Sequence, residues 1–274
     1  MLGTVKKEWQ GKVATLLFFL LTLWWLVGLQ NPDAYKVRYF GDFPSIYGVM
    51  ALWGALWGIG ISQKWGFVKS LMGKAMLMFS LGLFAQEFGQ IVYAYLSFVK
   101  HIEVPYPSFG DLGYFGSIPL YIFGVIYLAR ASGVRIGLRS FENKIQAVII
   151  PFALLVGSYL LFLQGYEFDW SNPIKVFLDF GYPFGQAIYI SLAFLTYLLS
   201  RGVLGGIMKN KVLFILFALC IQFISDYTFL YQSSKGTWSV GGLNDYMYLS
   251  AYFIMTLGIL QFNTALSELK RSEK

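Results

Sequence analysis

Residues 111–130, DLGYFGSIPLYIFGVIYLAR, and residues 245–264, DYMYLSAYFIMTLGILQFNT, open alike. Asp111 is followed by Tyr114 and Gly124, and Asp245 by Tyr248 and Gly258, so both read D-x2-Y-x9-G at the head of an apolar run. A helix of about 20 residues, rising 1.5 Å per residue, spans a hydrocarbon core of about 30 Å. The run before each carries an acid in an apolar setting, Glu87 in the first case and Asp226 in the second. The pattern is that of a repeated membrane-spanning unit with one interior acid per copy.

The rest of the 274-residue chain is of the same kind. Hydrophobic residues make up 57% and charged residues 13%, with a mean hydropathy of +0.59, whereas soluble domains run near a quarter charged. Eight apolar runs, near 12–30, 44–62, 74–98, 111–130, 145–165, 175–200, 211–232 and 245–266, predict an all-α integral membrane protein with eight transmembrane helices. They leave no room for a soluble domain, and the expected location is the cell membrane, multi-pass. Lys6, Lys7 and Lys12 before the first run imitate a signal peptide, but Gly28 to Asn31 offer no small-x-small cleavage site. A retained anchor is expected.

The basic residues orient the chain. With the N-terminus in the cytoplasm, 16 of the 21 Lys and Arg fall inside and only Lys36, Arg38, Lys100, Lys175 and Lys235 outside. This bias recurs loop by loop and predicts cytoplasmic N- and C-termini. Basic inner loops facing an anionic leaflet also account for the net charge of +7, so no nucleic-acid partner is implied. Trp24, Trp25, Trp170 and Trp238 then lie near the outer boundary, and Trp9 and Trp65 near the inner one.

The doubling extends beyond one motif. The third and seventh runs align at a shift of 138 residues, pairing Phe79 with Phe217, Leu81 with Leu219 and Tyr93 with Tyr231. The fourth and eighth align at 134, and Asp42, Pro44 and Tyr47 loosely match Asp179, Pro183 and Tyr189. The expected architecture is a tandem 4+4 parallel repeat in one membrane domain, residues 1–134 and 135–274. Its two halves are related by an axis along the membrane normal, and sites favour the interface between such repeats.

Glu87 lies 13 residues from both Lys74 and Lys100, close to mid-membrane, where an ionised acid costs several kcal/mol unless protonated, paired or hydrated. Gln86, Gln90 and Tyr93 extend it into a polar stripe, and Gln222, Ser225 and Asp226 form a second on the seventh helix. Two such stripes are expected to face each other or a shared hydrated cavity. The competing reading is an interhelical hydrogen-bond cluster that holds the halves together.

Asp42, Asp111, Asp179 and Asp245 open the even-numbered helices at the outer surface. Aspartate caps helix N-termini well, so capping is one reading. An acid-lined outer vestibule is the other, attracting cations or amines with Tyr47, Tyr93, Tyr114, Tyr182, Tyr189, Tyr231 and Tyr248 supplying hydroxyls and ring faces. His101 is the single histidine and Cys220 the single cysteine, so no conventional zinc site, disulfide or catalytic triad is expected, and no metal or cofactor is implied. Gly54 and Gly58 form G-x3-G, read as a close helix contact. No P-loop or dinucleotide fingerprint is present. Pro151 and Pro183 are placed near helix ends and Pro119 in the outer half of its helix.

Pro107-Ser108-Phe109-Gly110-Asp111-Leu112-Gly113-Tyr114 reads P-S-x2-D-x2-Y, and Asp179 to Pro183 reads D-x2-Y-P. Both openings resemble those in the multi-helix membrane modules of bacterial signalling proteins, the modules joined to diguanylate cyclase or histidine kinase domains. The resemblance covers the helical body and implies a sensor or ligand-binding module. In such proteins the last helix runs into an output domain; here only Leu266 to Lys274 follow, so the module either stands alone or belongs to a longer signalling chain.

The functional expectation is a membrane-embedded sensor or ligand-binding module, not an enzyme, with an outward-facing acidic and aromatic cavity between the repeats. Its expected partners are the bilayer, a cationic or amine ligand, and a cytoplasmic signalling protein or a second copy of the chain. A cation- or proton-coupled small-solute transporter uses the same acids, and a structural subunit of a membrane complex needs neither.

Overall fold

The computed structural model describes residues 8–30, 43–133, 141–200 and 206–272, with backbone alone at 141–144, 199–200, 206–207 and 268–272. Asp42, Lys36 and Arg38 lie outside the described residues. Regular structure among the described residues is helical throughout. Helix α1 covers Trp9–Gln30 and α2 covers Phe43–Lys64, with a turn at Tyr47 and Gly48. Helix α3 is Leu71–Val99 and α4 is Gly110–Ala131. Helix α5 is Phe141–Ser158, continued by a wider turn at Tyr159–Leu163. Then come α6, Pro173–Ser200, α7, Gly206–Ser234, and α8, Leu243–Ser272.

Among the described residues, seven of these helices are long and apolar enough to cross a membrane, α1 to α5, α7 and α8. Helix α6 has 28 residues, ample length, and carries Asp179, Tyr182, Pro183 and Gln186 in its first half. Pro119, Pro151 and Pro183 all fall inside helices. The sequence placed Pro151 and Pro183 near ends; α5 and α6 begin earlier than hydropathy suggested, at Phe141 and Pro173, which moves both prolines inward.

Local chemistry sets the helix boundaries. Ser70 caps α3 by accepting the Gly73 N–H at 2.9 Å. Gly133, at φ 73°, takes the left-handed conformation that closes α4.

Helix α8 is the centre of the bundle. Of its membrane-length window 78% is buried, against 6% for that of α5. It packs on α7, α2 and α1 and touches α3. Helix α3 lies between α2 and α4, while α6 joins α4, α5 and α7. Outward faces are apolar, with Leu16, Phe19 and Leu20 on α1 and Val148, Ile149 and Phe152 on α5 exposed, as a lipid-facing surface requires.

Small residues bring the central helices together. A Cβ at Gly54 would overlap Thr256 Oγ1 of α8, and one at Gly58 would overlap Ser80 Oγ of α3. The G-x3-G pair is therefore the close contact the sequence indicated. Between α3 and α4 the approach is backbone to backbone: a Cβ on Gly113 would overlap the Ala85 carbonyl and lie 2.7 Å from Gly89 N. At the end of the bundle where α1 begins, Lys64 Nζ donates to Asn263 Oδ1 at 2.8 Å and Asn263 Nδ2 to Glu8 Oε2 at 2.9 Å. At the other end, the Trp25 indole of α1 donates to the Gly241 carbonyl at 3.0 Å.

Candidate functional site

Two buried acids sit in this bundle with opposite surroundings. Asp226 of α7 is 7% exposed. Gln222, one turn earlier, donates to its Oδ1 at 3.0 Å, and the Tyr189 hydroxyl of α6 donates to its Oδ2 at 3.1 Å. The Tyr248 hydroxyl of α8 bonds it as well. Groups from three helices thus converge on this one carboxyl group and partner both of its oxygens.

Glu87 of α3 is equally buried, 8% exposed, yet its Oε2 has no hydrogen-bond partner. That oxygen lies against Gly48, where an added Cβ would overlap it and come within 2.9 Å of the Gln90 Cβ. Gly48 is the residue at which α2 turns before its long segment, Val49–Lys64, so the bare backbone there makes room for the carboxylate. An ionised oxygen in this position needs a proton, a cation or water to compensate for its lost hydration.

The flanking glutamines are used. Gln86 Nε2 donates to Ser117 Oγ of α4 at 2.8 Å, and its Oε1 accepts from the Tyr252 hydroxyl of α8 at 3.0 Å. Gln90 Nε2 donates to the Tyr47 hydroxyl of α2 at 2.7 Å. Tyr47, Tyr248 and Tyr252 pack together, with ring centroids 6.5 Å apart for Tyr47–Tyr248, 5.9 Å for Tyr47–Tyr252 and 6.2 Å for Tyr248–Tyr252. This tyrosine cluster links Gln86 and Gln90 of α3 to Asp226 of α7. The two polar stripes therefore meet through α8 and not face to face, because α7 packs on α8 and α6 while α3 packs on α2 and α4.

Other expected residues divide. Ser225 spends its hydroxyl on the Ile221 carbonyl of its own helix at 2.9 Å, while its carbonyl accepts from Asn244 Nδ2 at 2.8 Å. Tyr93 is half-buried on the α3 face beyond Gln90. Tyr114 packs its ring on Gly89, two residues from Glu87 on α3. Sequence reasoning passed over Gly48, Ser117, Tyr252 and Tyr121. The Tyr121 hydroxyl is buried without a partner, and its ring lies 6.0 Å from that of Tyr189. Tyr252 follows Tyr248 by one turn and Ser117 follows Tyr114 by three residues, a spacing that marks a shared helix face.

The described aspartates near the helix starts hold loops. Asp111 accepts the Ser108 N–H at 2.7 Å, and Asp245 accepts the Gly241 N–H at 2.6 Å. Each sits in the first turn of its helix and reaches back to the preceding backbone, so neither is the N-cap residue itself. Asp111 also accepts from the Tyr182 hydroxyl at 2.7 Å, and Asp245 is only 3% exposed. Asp179 lies two turns into α6 and caps nothing. It accepts from the Tyr106 and Tyr166 hydroxyls at 2.8 and 2.6 Å and from Lys175 Nζ at 2.7 Å. Its hydrogen bond holds the Tyr166 phenol above the usual tyrosine range.

No family model, no curated protein and no solved structure matches this chain.

Proposed function

We propose that the chain is a membrane-embedded sensor or ligand-binding module whose responsive group is Glu87. The observation that carries the reading is the contrast between two buried acids: Asp226 holds three donors, while Glu87 Oε2 has none. A protein that needed these acids only as glue between helices would satisfy both. A proton or a cation, an amine included, supplies what Glu87 lacks. Its arrival changes the demand on Gln90, Tyr47 and Tyr252, and through α8 reaches Asp226.

The reading uses eight spans with α6 as the sixth, cytoplasmic termini, and two four-helix repeats. The packing supports the doubling: α2/α3 and α3/α4 have counterparts in α6/α7 and α7/α8, and α4 packs on α6 as α8 packs on α2. Within each half, tyrosines from neighbouring helices attend the third-helix polar groups. Tyr47 bonds Gln90 and Tyr114 approaches Glu87 in one half; Tyr189 and Tyr248 bond Asp226 in the other. The expected output is transmitted to a cytoplasmic signalling protein or a second copy of the chain.

One observation favours a second reading. The turn of α2 at Tyr47 and Gly48 lies directly against Glu87, and interrupted helices beside ionisable groups at a repeat interface mark cation- or proton-coupled transporters.

Reconstitution separates the readings. Proton and cation flux is followed together with thermal stabilisation by protons, sodium or methylammonium, for wild type, Glu87→Gln and Asp226→Asn. Stabilisation lost in Glu87→Gln without any flux supports the sensor. Flux abolished by Glu87→Gln sinks the sensor in favour of the transporter. Variants that differ only in melting temperature leave the structural-subunit reading standing.

A further inference from the structure

A second constellation lies apart from the Glu87–Asp226 core, at the end of the bundle opposite Glu8 and Asn263. Tyr106 comes from the segment between α3 and α4, Tyr166 from the segment between α5 and α6, and Lys175 and Asp179 from the start of α6. We propose that Tyr106, Tyr166 and Asp179 form a binding site for a primary ammonium group, closed in this state by the protein's own Lys175.

The lysine shows what the site recognises. Its Nζ lies 5.9 Å from the centroid of the Tyr106 ring and 5.8 Å from that of Tyr166, within the distance at which ring faces attract cations. The Asp179 carboxylate completes the box at 2.7 Å from the same nitrogen. Both tyrosine hydroxyls donate to that carboxylate, which fixes the two rings while leaving the negative charge in place. Tyr166 is braced from behind by Phe168 and Phe180, at centroid separations of 5.3 and 5.2 Å.

Helix electrostatics do not explain the occupant. Lys175 stands in the first turn of α6, where the positive end of the helix dipole disfavours a cation. A lysine N-terminal to its acidic partner at i,i+4 is also the weaker order of such a pair. The box itself therefore holds the ammonium. The way out is open, since the Lys175 side chain is 39% exposed while that of Asp179 is 17% exposed. A flexible four-carbon stem can swing to water and leave two rings and a carboxylate facing solvent. The 2.7 Å bond requires an N–H on the occupant, which selects primary amines over quaternary ones.

Because Lys175 is tethered, it competes at high effective concentration. An incoming amine must displace it, while the Tyr106 and Tyr166 hydroxyls keep their bonds to Asp179 of α6. The site stands independently of the Glu87 reading.

The test uses the full chain in nanodiscs and isothermal titration with methylammonium chloride, against tetramethylammonium chloride at matched ionic strength. Lys175→Met keeps the stem and removes the charge. It should bind methylammonium roughly tenfold or more tightly than wild type, with no such gain for tetramethylammonium. Adding Tyr106→Ala and Tyr166→Ala, or Asp179→Asn, to Lys175→Met should abolish the gain. Lys175→Gln provides the same opening should the Met variant lose its helical circular dichroism. No gain in either opened variant overturns the proposal, as does an equal gain for tetramethylammonium. Unchanged binding after loss of the rings does the same.

Discussion

Tyr248 and Tyr252, one turn apart on α8, serve opposite halves of the bundle: the Tyr248 hydroxyl bonds Asp226 of α7, and the Tyr252 hydroxyl bonds Gln86 of α3 at 3.0 Å. Between them they couple the two acids' surroundings through a single helical turn. The two bonds differ in kind, one to a carboxylate and one to a neutral amide. Tyr252→Phe should cost about 1 kcal/mol, in keeping with interhelical hydrogen bonds in membranes. Tyr248→Phe should cost more, about 1.5–3 kcal/mol, since charged acceptors lose more. Reversible unfolding in mixed micelles, compared at equal detergent fraction, would show the order; a reversed order would contradict the assignment of the charged acceptor to Asp226.

The acids themselves should respond asymmetrically. In Asp226→Asn, an amide NH₂ is set against donors from Gln222, Tyr189 or Tyr248, at a cost of about 1–3 kcal/mol. Glu87→Gln removes a carboxylate whose Oε2 has no donor and should be neutral or stabilising. Thermal denaturation of the two variants beside wild type checks this. A Glu87→Gln variant as damaged as Asp226→Asn would mean that Glu87 has a partner of equal importance.

Gly48→Ala should be destabilising by about 1–3 kcal/mol, because its Cβ would overlap Glu87 Oε2 and crowd Gln90. Shortening the obstacle should relieve it. The double variant Gly48→Ala with Glu87→Ala is expected to lose less than the sum of the singles, a positive coupling readable in a double-mutant cycle. Strict additivity would remove Glu87 from the Gly48 face.

Glycines in the same bundle should sort by what faces them. Gly113→Ala meets backbone atoms of Ala85 and Gly89, which cannot swing aside, and should be the most damaging substitution on α4. Gly60 of α2 has nothing within 4 Å of an added Cβ. There Gly60→Ala should raise stability by up to about 1 kcal/mol, through the helical preference for alanine. Expression level and melting temperature of both variants, measured side by side, decide it.

Much of this was legible in the residues. Apolar runs located the helices because burial of backbone in lipid demands long uninterrupted stretches, and the G-x3-G pair announced a close contact. Helix α6 was legible too, at 175–200 against the observed Pro173–Ser200, although Tyr182, Pro183 and Gln186 dilute its apolar run. Glu87 and Asp226 stood out because acids are rare in such runs. Their inequality did not, because the donors come from other helices: Tyr189 and Tyr248 for one, none for Glu87 Oε2. The central position of α8 also escaped, which is why Tyr252 was passed over and the polar stripes were expected to face each other or a shared cavity without a helix between them. The box around Lys175 joins two separate loops to α6, and no periodicity reports such a meeting.

The central place of α8 bears on how the molecule is made. The seven described helices α1 to α7 leave the ribosome before it, and until it arrives the surfaces of α2, α3 and α7 that flank it have only lipid to meet. Gln86 then waits in the bilayer without the Tyr252 hydroxyl, and Asp226 without that of Tyr248. Assembly is thus a late insertion into a prepared slot. A chain arrested before Leu243 would carry exposed polar groups in the membrane, a mark by which quality-control machinery can tell an unfinished bundle from a finished one.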